Sequence, residues 1–167
     1  MKKFTLILSA MLISMMSFAG TVTFDATIDK TEQSSAGNLT LTKDGVSLHT
    51  SMGILGNGKE YRIYKNQSMD VSCEFGNITS IEFTCTKEGT NQYGPGCLEY
   101  RGNAGNYTYE GKVGTWTGNE AIVILYGALN QVRATKIVVS YESSDANFVD
   151  QPMITGDIDF VDTANVV

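Results

Sequence analysis

The chain has 167 residues, a formal charge of −6 from 12 basic and 18 acidic side chains, 17 glycines against two prolines, and three cysteines. Its Lys and Arg residues are scattered singly, which excludes a nucleic-acid partner, because non-specific binding to a phosphate backbone needs clustered cations. The length suits one domain with a short extension.

The opening MKKFTLILSAMLISMMSFAG places Lys2 and Lys3 before an apolar run and then small residues, the layout of a secretory signal peptide over residues 1–19. Ser17 and Ala19 satisfy the small-x-small cleavage pattern, so the mature chain is expected to start at Gly20. The apolar run is shorter than the roughly 20 residues a spanning helix needs, and no membrane span is expected. Loss of Lys2 and Lys3 leaves 10 basic against 18 acidic residues, a charge of −8, which favours solubility. The expected location is outside the cytoplasm: periplasm, cell surface or medium.

Beyond residue 20, apolar residues come in short alternating runs, with no spacing of three and four, so the chain reads as all-β. Strands are predicted at 21–28, 38–42, 46–50, 61–64, 68–73, 79–86, 98–101, 106–110, 120–126 and 132–142. Turn signals separate nearly all of them, among them KDG at 43–45, GNG at 56–58, FGN at 75–77 and GN at 118–119. The period of two puts Met69, Val71 and Cys73 on one face, and likewise Ile81, Phe83 and Cys85. AIVILY at 121–126 is apolar on both faces and IVVSY at 137–141 nearly so, the pattern of central strands covered on both sides. An antiparallel β-sandwich of jelly-roll type follows, with residues 20–142 as the domain.

Between Gly89 and Gly118 lie eight glycines together with Tyr93, Tyr100, Tyr107 and Tyr109. Such backbone belongs either to a binding loop or to edge strands and bulges. Three cysteines in a secreted chain permit oxidation. If 69–86 is a hairpin turning at Gly76, Cys73 and Cys85 lie about 20 Å apart, beyond the ~7 Å Cα separation a disulfide allows. Cys85 to Cys97 is then the candidate bridge, the alternative being three reduced, partly buried thiols.

Catalysis is not expected. His49 alternates with Val46 and Leu48 and faces solvent, and neither GxSxG nor HExxH occurs. Glu82, Glu99, Glu110 and Glu120 are the carboxylates available for an acid pair. No cofactor or metal set is recognisable; Asp25, Asp29 and Asp44 near strand ends leave calcium as the one cation to consider.

The order of TVTFDATIDK, YRIYKNQSMDVS, ITSIEFTCT, YEGKVGTWTG and RATKIVVSYE resembles a jelly-roll domain repeated across large secreted and surface proteins of bacteria. The resemblance covers residues 21–142. It implies fold more than function: such domains occur beside nucleases, adhesin-like repeats and carbohydrate-acting modules, with no agreed catalytic residues to carry over. QPMITGDIDFVDTANVV, 151–167, resembles the opening strand of the fibronectin-like domain that ends chitobiases and β-hexosaminidases. One strand buries no core, so 143–150 reads as a linker and 151–167 as a tail or the first strand of a further domain of a longer chain.

Trp116, in GTWTG, is the only tryptophan. It is either an anchor inside the sandwich or, with Tyr93, Tyr100, Tyr107 and Tyr109, part of a platform on which sugar rings stack. Two functions are expected accordingly. One is a non-catalytic module binding a glycan or surface polysaccharide; the other is a structural or adhesive spacer without a small-molecule ligand.

Overall fold

The computed structural model describes residues 18–143. The predicted leader up to residue 17, nearly all of the linker and the tail 151–167 lie outside the described residues. Among the described residues there are eleven strands: β1 (Phe18–Asp25), β2 (Gly37–Lys43), β3 (Val46–Ile54), β4 (Tyr61–Ile63), β5 (Ser68–Cys73), β6 (Gly76–Cys85), β7 (Leu98–Tyr100), β8 (Gly105–Glu110), β9 (Val113–Glu120), β10 (Ile122–Gly127) and β11 (Val132–Ser143). The only helical element among the described residues is the 3-10 turn Pro95–Cys97, and no helix there is long and apolar enough to cross a membrane.

All strand pairs are antiparallel, and the sheet curls into a nearly closed, barrel-like sandwich. One layer runs β1-β11-β6-β9-β8 and the other β2-β3-β5-β10-β7. Short β4 pairs with the start of β11 on one edge and the end of β3 on the other, joining the layers. At the far ends, β7 and β8 come within 8 Å without pairing. That gap is the seam of the barrel.

Period-two alternation supplies the core. Phe24, Leu48, Met69, Val71, Ile81, Phe83, Leu125 and Ile137 are fully buried between the layers. On the first layer a single outward row reads Thr21, Ser140, Ser80, Thr117 and Asn106 across five strands.

Three expectations are corrected. β5 and β6 do not form a hairpin: β5 pairs with β3 and β10, and β6 with β11 and β9. Each strand has one apolar face, and the chain at Phe75 and Gly76 crosses between layers so that both faces meet inside. Second, 113–120 is a continuous strand rather than a turn at 118–119; the reversal lies at Gly111, whose φ of 53° suits a residue without Cβ. Third, β10 is covered on one side only. Ile122 and Ile124 are 56% and 37% exposed, because nothing among the described residues packs over that face.

The β1 and β2 edges are closed by a turn. Asp25 Oδ1 accepts the Thr27 N–H at 2.9 Å and the Thr27 hydroxyl at 2.6 Å. Asp29 Oδ2 accepts the Asp25 N–H at 2.9 Å and Lys43 Nζ at 3.0 Å, and Lys43 also donates to the Thr23 carbonyl at 2.8 Å. A lysine laid along an exposed edge blocks further strand pairing.

The Thr27 donors, hydroxyl first, hold the Asp25 carboxyl below its ordinary range. Burial pushes Asp29 up, but the Asp25 N–H and Lys43 outweigh it, and its pKa too is lowered. A carboxyl whose pKa is lower folded than unfolded contributes stability above the unfolded value, about 3.9, that is lost as pH falls through the folded value. Asp29→Asn is therefore expected to lower stability at pH 7 and to flatten its decline below about pH 4. Urea midpoints measured from pH 7 to 2 check this, and parallel curves for the two proteins would refute it.

Candidate functional site

β7 and β8 bring the tyrosines of the glycine-rich segment to the seam. A cleft of about 400 Å³ there is lined by Leu98, Glu99, Tyr100, Gly102, Gly105, Asn106, Tyr107 and Tyr109. A second hollow of about 520 Å³ lies beside it, lined by Thr108, Tyr109, Glu110, Val113 and Thr115. Tyr109 borders both.

Side-chain direction explains who faces what. In the β8–β9 ladder Tyr107 stands opposite Trp116 and Tyr109 opposite Gly114, all on the inward face. Trp116 is fully buried and meets Tyr100 edge-on, ring centroids 5.6 Å apart. Gly105 and Gly118 face each other beside it, and a Cβ on either would run into the indole. These glycines, which read as loop or turn signals, are strand positions left empty for a ring.

The five aromatic candidates therefore separate. Trp116 is an anchor of the core, not a platform. Tyr107 is half-buried, and its hydroxyl donates to the Pro95 carbonyl at 2.9 Å; burial pushes its phenol well above the ordinary range. Tyr100 is half-buried, and burial with the nearby Glu120 carboxylate raises its pKa as well. The Tyr100 hydroxyl and the Trp116 indole N–H are both buried without a hydrogen-bond partner. Tyr109 is 48% exposed and is the one ring of the cleft with a broad free face. Tyr93 does not line the seam cleft: the Arg133 guanidinium stacks 3.7 Å over its ring.

The polar groups of the cleft are Glu99 and Asn106. Glu99 Oε2 is held by Arg101 through two bonds of 3.1 and 3.0 Å, and Arg101 lies over the Tyr126 ring at 4.6 Å. Asn106 and Arg101 were not singled out from the sequence; their only signal is alternation with the tyrosines. Glu82 and Glu110 are outward on β6 and β8, with β9 between them.

The expected Cys85–Cys97 bridge is not formed. All three cysteines are free thiols, and Cys97 Sγ is engaged instead with the Thr90 and Asn91 carbonyls at 3.4 and 3.3 Å. Burial, with Cys97 close by, pushes the Cys85 thiol up to about 12, so it is protonated and unreactive at neutral pH. The premise that excluded Cys73 also changes, since Cys73 lies opposite Val46 rather than near residue 79. His49 is half-buried, its Nδ1 3.0 Å from the Thr40 hydroxyl. The calcium candidates are engaged in the edge turn or, for Asp44, at a left-handed turn position. Among the described residues no group of three or more His, Cys, Asp or Glu is placed to hold a metal ion.

Comparison of the chain with protein-family models, curated proteins and solved structures finds no match.

Two outcomes follow from the packing of Trp116. Its fluorescence is expected to be blue-shifted and to resist a neutral quencher; red emission that is quenched freely would place the ring at the surface. Gly118→Ala puts a Cβ 2.6 Å from both the Ala104 carbonyl and the indole, and overpacking of this kind costs about 1–3 kcal/mol. Urea unfolding should show that loss, whereas Thr117→Ala, on the exposed face of the same strand, should stay within about 0.5 kcal/mol of the parent.

Proposed function

We propose that this protein is a secreted, non-catalytic β-sandwich module of the jelly-roll type that binds carbohydrate at the β7–β8 seam. The observation that carries the reading is the convergence of Tyr100, Tyr107 and Tyr109 with Glu99 and Asn106 on one cleft. A phenol ring with a free face stacks on the apolar face of a pyranose, and adjoining amide and carboxylate groups accept and donate to its hydroxyls. The cleft is within the range of small-ligand sites, about 300–1,000 Å³. Glu99 is tied to Arg101, so it serves recognition better than proton transfer. The resemblance to jelly-roll domains of secreted bacterial proteins, and the leader at 1–19, agree with a role outside the cytoplasm on a surface polysaccharide or as one domain of a longer chain.

The second reading, a structural or adhesive spacer, is favoured by the burial of Trp116 and by the outward rows of short hydroxyl side chains.

Binding of the full chain to a panel of polysaccharides, by affinity electrophoresis and calorimetry, separates the two. The carbohydrate reading expects saturable binding to at least one member, weakened roughly tenfold by Tyr109→Ala through loss of about 1–1.5 kcal/mol of ring contact, with unchanged urea stability. Binding to none, or binding indifferent to Tyr109, leaves the spacer.

A further inference from the structure

A second polar cluster lies where β4 straps the two layers together. Arg62 of β4 and Arg133 of β11 stand directly opposite each other in the ladder. Their chain neighbours Tyr61, Ile63, Val132 and Ala134 are buried, so both guanidinium groups project from the outer face. Like charges in that relation repel.

One carboxylate answers both. Glu60 Oε1 accepts Arg62 Nε at 3.0 Å, Arg62 Nη2 at 2.7 Å and Arg133 Nη1 at 3.4 Å. Two cations on one anion leave the cluster with a local excess of +1 in a chain that is acidic overall. Among the described residues, Arg62 Nη1 and Arg133 Nη2 donate to no acceptor. The arginine side chains remain 26% and 24% accessible, while Glu60 is only 13% so.

The Arg133 fork is also held in place. Its Nε donates to Gln131 Oε1 at 3.1 Å, and its plane rests 3.7 Å from the Tyr93 ring. Tyr93 has a φ of 81°, a region costly for a side chain of that size. It is kept there by the bonds Tyr93 N–H to Gln131 O at 2.8 Å and Arg133 N–H to Tyr93 O at 3.4 Å. Backbone held in such a conformation is characteristic of binding sites, and a rigidly held guanidinium recognises an oxyanion with little further ordering.

We infer that Arg62 and Arg133, with Tyr93 and Gln131 orienting the latter, form a subsite for an oxyanion carried on a sugar, either a uronate carboxylate or a sulfate ester. That the anion belongs to a glycan rests on the reading above; that an oxyanion binds here does not. Glu60 is the internal anion with which the ligand competes.

The test is a titration of the full chain with sodium sulfate, sodium glucuronate and glucose at constant ionic strength, read on the arginine Nε–H resonances by NMR. Saturable shifts of Arg62 and Arg133 with an anion and not with glucose are expected, and the tighter of the two anions distinguishes sulfate ester from carboxylate. Arg62→Gln should weaken the anion about tenfold through loss of a charge-assisted pair. Glu60→Gln should tighten it several-fold, because the competing carboxylate is gone. A purely structural clasp gives no saturable shift with either anion, and that result overturns the subsite. So does weaker or unchanged binding in Glu60→Gln, which decides the matter even if Arg62→Gln does not fold. Anion binding by a protein that ignores every polysaccharide would keep the subsite and remove the glycan.

Discussion

The structure depends on how β11 satisfies its backbone. Its twelve residues pair with β6 along one edge and with β4 and then β1 along the other, so its N–H and C=O groups, buried beneath Ile137 and Val139 on the core side, are carried in ladders on both sides. β4 contributes only three residues, yet it is the hinge: the same short strand pairs with β3, and the two layers become one curled sheet. A strap of this kind exists on one side of the barrel. On the other side β7 and β8 end the sheet without pairing each other, and the cleft is the space that incomplete closure leaves.

The region around that seam shows packing and recognition drawing on the same residues. Trp116 is seated against Tyr100 and over Gly105, and the glycines that make room for it also leave the adjoining backbone low and open. A ring at position 105 or 118 would fill the space the indole occupies. The aromatic density of the segment therefore divides by depth: Trp116 inside, Tyr100 and Tyr107 at the wall, Tyr109 at the rim with both hollows on its flanks. Stability at the seam and availability of a stacking surface are two uses of one strand pair.

Electrostatics follow the edges in the same way. Lys43 crosses from β2 to a carbonyl of β1 and to Asp29, closing the open side of the two layers where no ladder does so. Glu60 draws Arg62 and Arg133 together at the β4 strap. At Lys43 a charged side chain stands where backbone pairing runs out, the usual means by which sheets manage their ends, whereas at the strap Glu60 offsets two cations that the ladder itself sets side by side.

Much of the fold was legible in the sequence. Met69 and Val71 of β5, Ile81, Phe83 and Cys85 of β6, and Ile137 and Val139 of β11 face the core as their spacing of two requires, because alternation is a property of the strand itself. Less of the site was legible. The tyrosines of the glycine-rich segment were evident as a group, but their separation into wall, rim and the Arg133-stacked Tyr93 was not. Gly118 reads as a turn residue because glycine is the commonest signal of a turn, and nothing local shows that the position is left without a side chain to make room for the Trp116 ring. β5 and β6 read as a hairpin because neighbours in sequence usually pair. The sequence by itself determined strand identity and facing, which depend on residues two apart. Only the tertiary structure decided which strands pair, where the sheet fails to close and which aromatic rings remain uncovered, because those outcomes depend on contacts between residues far apart along the chain.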